Sequence, residues 1–491
     1  MSTITIKAPA GPIVGREKNG ALLFAGIPYA EAPVEGLRFL PPVPKRLFSE
    51  PYEAFKFGPA APQTPTGGMT DSAPVRWSEE CLSLNVSTPA IDTMARPVLV
   101  WIHGGGYRTG QSSIPWYSGI PFAENGNIVT VSINYRLGAL GFTDLSHLGP
   151  EYENSSVNGI LDQIEALRWV QKNISAFGGD PAKVTIAGES AGGFSVATLL
   201  GCPEAQGLFH RAIPQSGAAH HTLSAEASQK VTQHFLDALG QSDVIGLQAV
   251  STQEILDAQN TTTQHFESGA GINNGLGTTV SPFYPVHGTP ALPQSPLEAI
   301  HAGVGGEVAV LTGTNADETT LFGYGKVDRS KLDRIAAGYN ATEVLERYRE
   351  TRPEASDEEL LIAITTDHMF RIPAVRLAEA REAHTPDTWM YLFNWQSRAF
   401  NGRLKATHAL EIPFAFNTLS AAGVDAFVGP GESPQPLADT MHAAWIAFIR
   451  DGDPGWARYD IGTRATMIFD EASKQVDNPA AEEREAWTGV R

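Results

Sequence analysis

Short, nearly continuous apolar runs alternate along this chain with longer segments of helical periodicity, and this alternation limits the possible folds strongly. The runs at 96–106 ("RPVLVWIHGGG") and 127–136 ("NIVTVSINYR") are too uniformly apolar for amphipathic elements and are typical of strands buried on both faces. A segment with apolar residues at helical spacing, 158–179, follows them. Because strand, helix and strand in succession give parallel neighbours, the sequence predicts a mostly parallel sheet flanked by helices.

The same alternation continues toward the C-terminus. Further strands are predicted at 183–188, 208–217, 307–315 and 388–397, and further helices at 190–201 and 437–454. The stretches 222–300 and 323–387 interrupt the pattern, and we expect them to form a helical cap over the sheet. A length of 491 residues is also compatible with two or three domains. The lack of repeats and long linkers favours one α/β domain over residues 1–491 with cap-forming insertions.

Composition restricts the class of partner. Hydrophobic residues make up 42% of the chain and charged residues 18%, which is typical of a globular protein. A net charge of −19 disfavours nucleic acid and anionic membranes as partners. We see neither a signal peptide nor an apolar run of the roughly 20 residues that a membrane helix needs. Cys81 and Cys202 form no disulfide framework or metal cluster, so we expect a cytoplasmic protein with free thiols.

Ser190 is the first candidate for chemistry, in the string "VTIAGESAGG" (184–193). The pattern G-x-S-x-G is weak by itself in a chain with 48 glycines, but here it joins a predicted strand to a predicted helix. Such an elbow lifts a serine hydroxyl above the sheet, and it needs small residues such as Gly188 and Gly192 where strand and helix cross. An ordinary strand-to-helix turn is the alternative, and it would predict no partners for the serine.

The loop "HGGGY" (103–107) is the first possible partner. Three successive glycines let the backbone approach a ligand and direct several N–H groups toward one point. A tight turn or a weak phosphate cradle would give the same pattern, although the lysine of a P-loop is missing. A loop of this type supplies oxyanion donors in lipases and esterases, and the helix start at Ala191 would add another free N–H group.

The chain order serine, acid, histidine limits the remaining candidates. Asp317 and Glu318 follow the predicted strand 307–315, and His408 follows the predicted strand 388–397. Other histidines fit less well, because they precede the acid, lie in the cap stretches or lie within a helix: His301, His368, His384 and His442. Elimination therefore favours His408 as the base and leaves the two acids open.

Several blocks of the sequence together resemble the type-B carboxylesterase/lipase family, which includes bacterial para-nitrobenzyl esterases and cholinesterases. They are "FAGIPYAEAPVEGLRFLPP" (24–42), "SEECLSLNV" (78–86), "VSINYRLGALGF" (131–142), the stretch 158–193, "HALEIPFAF" (408–416) and "WIAFIRDGDP" (445–454). The resemblance runs almost end to end and implies the α/β-hydrolase fold. It also implies a triad of Ser190, Glu318 and His408, although Thr319 stands where the family has glycine.

The resemblance implies roles for further residues. It assigns the oxyanion hole to the backbone N–H groups of Gly105, Gly106 and Ala191, and it implies that Ser216 supports the acid. It also implies two structural ion pairs, Arg38 with Glu79 and Arg136 with Asp162. Two departures stand out: Ala61 replaces the usual disulfide partner of Cys81, and His287 stands where an aspartate is common.

The expected reaction is hydrolysis of a small-molecule carboxylic ester through an acyl-enzyme, without metal or cofactor. Hydrolysis of carbamates or amides at the same site is the second possibility, and a non-catalytic relative of the family is a third. Tyr107, Trp116 and Tyr117 follow the glycine loop, and the sequence leaves open whether they line a substrate gorge or lie in the core. Acyl and alcohol specificity and the oligomeric state are likewise not determined by the sequence.

Overall fold

The computed structural model describes residues 2–65, 75–268 and 281–490. Its strands form one large sheet with the hydrogen-bonded order β1-β2-β3-β5-β7-β6-β8-β9-β10-β11-β12-β13, and β4 pairs with β2. In chain order the strands are β1 (Thr3–Ala8), β2 (Gly11–Lys18), β3 (Ala21–Pro28), β4 (Tyr52–Glu53), β5 (Ser83–Thr88), β6 (Arg96–Ile102), β7 (Val129–Ile133), β8 (Gly179–Glu189), β9 (Arg211–Gln215), β10 (Ala309–Asn315), β11 (Thr388–Phe393), β12 (Ala465–Phe469) and β13 (Lys474–Asp477).

The centre of the sheet is parallel. Strands β7, β6, β8, β9, β10, β11 and β12 pair in parallel in that order. Antiparallel pairs extend the sheet through β5, β3, β2 and β1 at one edge and through β13 at the other. The mostly parallel sheet predicted from the alternation is confirmed, whereas the antiparallel edge strands were not predicted.

Helices cover the sheet. They are α1 (Ile120–Gly126), α2 (Gly138–Phe142), α3 (Asn158–Asn173), α4 (Ala191–Leu200), α5 (Ala225–Leu239), α6 (Val244–Ala249), α7 (Thr252–Ser268), α8 (Pro296–His301), α9 (Arg329–Gly338), α10 (Thr342–Thr351), α11 (Asp357–Thr366), α12 (Ile372–Arg381), α13 (Ile412–Ala415), α14 (Val424–Val428), α15 (Gln435–Asp451) and α16 (Ala481–Ala486). A π-helix, Asp367–Arg371, joins α11 to α12.

The predicted elements are present, but their ends differ. The predicted helix 158–179 ends at Asn173, because a 3-10 turn and the left-handed Gly178 (φ +80°) stop it before β8 begins. Helices α5 to α7 fall within 222–300, α8 extends one residue beyond it to His301, and α9 to α12 fall within 323–387, although 269–280 lies outside the described residues. The division into one domain with two cap insertions stays a prediction.

The central strands are buried on both faces, as their composition predicted. In β6, Val98, Val100 and Ile102 pack into one apolar cluster, while the intervening Leu99 and Trp101 pack into a second. Because the parallel strands share one direction, the loops after β6, β8, β10 and β11 all leave the sheet at the carboxyl ends of its strands. The candidate residues lie at this end of the sheet.

The two predicted ion pairs are confirmed. The Arg38 guanidinium lies 2.6 Å from the Glu79 carboxylate, and that of Arg136 lies 2.7 Å from Asp162, with all four side chains largely buried. Arg38 also donates to the carbonyls of Leu247 and Val250, so it ties the end of α6 to the core.

Candidate active site

The elbow at Ser190 is formed where β8 meets α4. Ser190 has φ +56° and ψ −124°, a region that L-residues rarely occupy, and its carbonyl accepts the first bond of the helix from Phe194 N (2.8 Å). A Cβ placed on Gly192 would lie 2.0 Å from the Ile102 carbonyl oxygen, and one on Gly188 would lie 2.6 Å from the Gly192 carbonyl. Both glycines are therefore required by the close crossing of strand and helix.

The loops after β10 and β11 bring an acid and an imidazole together. His408 Nδ1 lies 2.6 Å from Glu318 Oε2, and both side chains are buried. The same carboxylate accepts from the backbone N–H of Asn315 (2.8 Å), while His408 N donates to the Glu318 carbonyl (3.1 Å). Asp317 is directed elsewhere, and its Oδ2 accepts from the Ala406 N–H at 3.3 Å. Of the two acids, Glu318 is thus the one that holds the ring.

The other ring nitrogen faces the elbow. His408 Nε2 lies 3.2 Å from Oε1 of Glu189, the residue directly before Ser190. Burial lowers the pKa of His408, but the facing carboxylates of Glu189 and Glu318 outweigh it and raise that pKa to about 9. The imidazole therefore lies between two carboxyl groups, one on Glu318 after β10 and one on Glu189, the residue that precedes Ser190 at the end of β8.

The glycine loop lies against the same elbow. A Cβ on Gly104 would lie 3.1 Å from Ser190 Cβ, and Gly105 (φ +111°) and Gly106 (φ +62°) both use backbone conformations that favour glycine. Within residues 2–65, 75–268 and 281–490, neither of their N–H groups donates to a protein acceptor. Ala191 is the first residue of α4, so its N–H belongs to the free amino end of the helix.

Ser216 follows β9 beside this site. Its backbone is left-handed (φ +45°), and its N–H donates to the carbonyl of Gly313 (2.9 Å). Its buried Oγ makes no hydrogen bond in the part of the chain that the structure describes. The Glu318 carboxylate accepts from the N–H of Asn315 and not from this hydroxyl. A supporting role of Ser216 stays a prediction.

A third buried carboxyl group was missed by the sequence analysis. Glu411 accepts from Asn315 Nδ2 (2.7 Å) and from Gln215 Nε2 (3.2 Å). Burial and the charge of Glu318 raise the pKa of Glu411 to about 7. Glu411 stands three residues after His408, but only the fold shows that both face the same interior, so no spacing rule could have identified it.

Two aromatic rings that were also missed pack on the imidazole. The ring centre of Phe370, in the π-helix, lies 4.8 Å from that of His408, and that of the half-exposed Phe322 lies 5.6 Å from it. By contrast, Trp116 and Tyr117 are buried in the second apolar cluster, where Trp116 Nε1 donates to the Ala422 carbonyl (3.0 Å). Phe370 and Phe322 therefore flank the imidazole of the candidate site.

His287, for which the sequence offered no explanation, is partly buried. Its Nδ1 lies 3.0 Å from Thr222 Oγ1, and its N–H donates to the Leu223 carbonyl (3.1 Å). It therefore fixes the segment that follows Ser216. Among the residues described, no group of three or more His, Cys, Asp or Glu side chains could hold a metal ion, and no helix there is long and apolar enough to cross a membrane.

A mostly parallel sheet with a strained serine turn at the end of a central strand is the architecture of the α/β-hydrolases. The sequence profile of the Carboxylesterase family matches residues 2–485. The chain is 35% identical to the para-nitrobenzyl esterase of Bacillus subtilis (strain 168), over 97% of this chain and 96% of that protein. It is also 35% identical to the phenmedipham hydrolase of Pseudarthrobacter oxydans, over 95% of each chain.

Solved structures give the same result. A crystal structure of a Geobacillus stearothermophilus carboxylesterase matches with a TM-score of 0.88 at 37% identity and covers 98% of this chain and 99% of its own. A structure titled "PNB esterase" matches with a TM-score of 0.84 at 35% identity over 98% and 99%. The chain therefore belongs to the carboxylesterase family, and it is a carboxylic ester hydrolase.

Proposed function

We propose that the protein hydrolyses small-molecule carboxylic esters through an acyl-enzyme on Ser190, with His408 as base and Glu318 as the acid that orients it. The observation that carries the proposal is the 2.6 Å contact between His408 Nδ1 and Glu318, on loops that end beside the serine elbow. Because the Glu318 carboxylate accepts a hydrogen bond from Nδ1–H, the single ring proton of the neutral imidazole stays on Nδ1. Nε2 is then unprotonated and can accept a proton.

Acylation proceeds by addition and elimination. Ser190 Oγ forms a bond to the ester carbonyl carbon as its proton passes to His408 Nε2, and the carbonyl oxygen takes the negative charge. The N–H groups of Gly105, Gly106 and Ala191 donate to that oxygen, and the loss of one such donor typically costs about 10²–10³ in kcat. The bond to the alcohol oxygen then breaks, and His408 returns the proton to the leaving alcohol.

Deacylation repeats these steps with water. His408 takes a proton from water as the water oxygen attacks the acyl carbon; the Ser190–acyl bond then breaks as His408 returns the proton to Ser190 Oγ, and the carboxylic acid is released. The imidazolium formed in each half-reaction is stabilised by the buried Glu318 carboxylate. Each step is complete with these groups and water, so we propose no metal or cofactor.

Replacement of the nucleophile tests the proposal. Ser190→Ala is expected to lower kcat for a p-nitrophenyl ester by more than about 10³, because no other group can form the acyl-enzyme. Ser228→Ala, a change at an equally small buried serine in α5, is the matched control and should retain activity. Mass spectrometry should find the acyl group on the peptide that contains Ser190. Near-wild-type turnover by folded Ser190→Ala protein would overturn the proposal.

Substrate class is tested with matched carbonyl compounds. An ester, a carbamate and an amide that share one acyl part and one chromogenic leaving group should be hydrolysed with the ester fastest. A carbamate or amide that exceeds the ester in kcat/KM would assign the second possibility instead.

A further inference from the structure

The three proposed oxyanion donors belong to two separate elements. Gly105 and Gly106 lie on the loop after β6, whereas Ala191 opens α4. Donors of this kind act only when all of them point at one oxygen, and a displacement of about 1 Å can cost as much as 10²-fold in rate. The distance between the glycine loop and the helix start is therefore a catalytic parameter, and something must fix it.

Tyr107, the residue after the glycines, has an unusual backbone. Its φ is +58°, a left-handed value that costs a non-glycine residue about 1–3 kcal/mol. Such a conformation persists only where the surrounding structure imposes it. Its carbonyl accepts from Gly138 N (2.6 Å), and its ring is fully buried against Phe142 and Tyr284, with ring centres 4.8 Å and 5.1 Å away. The loop is thus held in one conformation by the packing of this side chain.

The hydroxyl group of Tyr107 reaches across to the helix. Ser195 Oγ, one turn after Ala191 in α4, donates to Tyr107 Oη at 3.1 Å. Gln163 Nε2, from α3, donates to the same Ser195 Oγ at 2.9 Å and so fixes its position. All three side chains are fully buried. Ring packing alone would be satisfied by phenylalanine, and a buried hydroxyl is costly unless it is hydrogen-bonded, so the hydroxyl links the two elements specifically.

We propose that Tyr107 is a positioning residue whose hydroxyl, through Ser195 and Gln163, sets the distance between the glycine loop and the start of α4. It thereby makes the N–H groups of Gly105, Gly106 and Ala191 converge on one oxygen. This inference rests on the proposed function, because convergence matters only if these groups stabilise an oxyanion. Tyr107 itself touches neither substrate nor the reacting atoms.

The test separates transition-state binding from ground-state binding. Tyr107→Phe should lower kcat for a p-nitrophenyl ester by about fivefold to tenfold and change KM by less than about twofold, because only the oxyanion contacts are misaligned. The inhibition constant of a trifluoromethyl ketone, which forms a tetrahedral adduct on the serine, should rise by the same factor. That of the matching methyl ketone should stay unchanged.

Ser195→Ala tests the same bond from its other end and is expected to give the same pattern. If the two residues act through one contact, the double variant should be no slower than either single variant. Tyr459→Phe, at a buried tyrosine outside this network, is the matched control and should leave all constants unchanged.

Three results would overturn the inference. The first is a kcat within twofold of wild type in folded Tyr107→Phe, and the second is an effect of this variant on KM alone. The third is a double variant whose loss of kcat equals the product of the two single losses. If Tyr107→Phe does not fold, Ser195→Ala carries the test, since it removes only the hydroxyl that donates. A wild-type protein without esterase turnover would refute the proposed function as well, and this outcome is visible before any variant is made.

Discussion

At the scale of single residues, the adjacent acids Asp317 and Glu318 differ in the direction of their side chains, and only one of them contacts His408. Glu318 contacts His408 Nδ1 at 2.6 Å, whereas Asp317 accepts from Ala406 N and Gln396 Nε2 at 3.3 Å. Glu318→Gln should leave the fold nearly intact and lower kcat by on the order of 10³–10⁴, because the amide favours the wrong ring tautomer. Asp317→Asn should cost less than about tenfold. Steady-state kinetics on both variants decide the assignment, which is wrong if Asp317→Asn is the inactive one.

The pH dependence follows from the charges around His408. Its pKa is raised to about 9, so the neutral ring that the proposed mechanism requires is depleted at pH 7 and recovers as the pH rises. The acid limb of kcat/KM should therefore have an apparent pKa above the ordinary value of about 6.5. In Glu189→Gln, which removes one facing carboxylate, the limb should move downward. A limb at or below pH 6.5 in both proteins would contradict this prediction.

Some of these residues were accessible from the sequence. Ser190, Glu318 and His408 each follow a predicted strand, and parallel strands place such positions along one edge, so chain order alone restricted the choice. Glu189, Asn315 and Glu411 carry no such signal, because their participation depends on which way a side chain points across the loops. The supporting role implied for Ser216 stays a prediction, since a motif match gives a position but not a hydrogen-bond partner.

At the scale of elements, the start of α4 lies so close to the end of β6 that no side chain fits on Gly192. The contact at 2.0 Å is with the Ile102 carbonyl oxygen, and backbone cannot move as a flexible side chain can. Gly192→Ala should therefore lower the free energy of unfolding by about 3 kcal/mol or more. Gly36→Ala, at an exposed position with nothing within 4 Å of the new methyl group, should stay within about 0.5 kcal/mol. Denaturant titrations measure both, and equal stabilities would refute this account of the elbow.

Elements were predictable where burial is uniform. The continuous apolar runs of β6 and β7 indicate parallel strands because helices cover both of their faces. The antiparallel β2 has a mixed burial pattern, and β13 is mostly exposed, so neither gives a comparable run. The π-helix at Asp367–Arg371 was not predicted, because π-helices are rare and occur mostly as single turns within α-helices.

At the scale of the whole molecule, residues distant in sequence hold the π-helix that carries Phe370 beside His408. Trp487, beside α16, donates from Nε1 to Tyr348 Oη (2.9 Å), and that hydroxyl donates to Asp367 at the start of the π-helix. Arg371 closes the π-helix by donating to the same carboxylate (2.6 Å). Because Phe370 lies between these two residues in the sequence and packs on His408, a chain of contacts links Trp487 to the imidazole of His408.

Trp487→Ala tests this connection. Removal of a buried indole should lower the free energy of unfolding by about 3–5 kcal/mol. It should also lower kcat/KM at temperatures where the protein remains folded, because Tyr348 and Asp367 lose a partner and the Phe370 wall shifts. Trp169→Ala, at a comparably buried indole in α3, should cost similar stability without affecting kcat/KM. Thermal unfolding and esterase kinetics on both variants separate the two effects. Equal kcat/KM in the two variants would show that the C-terminal contacts stabilise the fold without positioning the site.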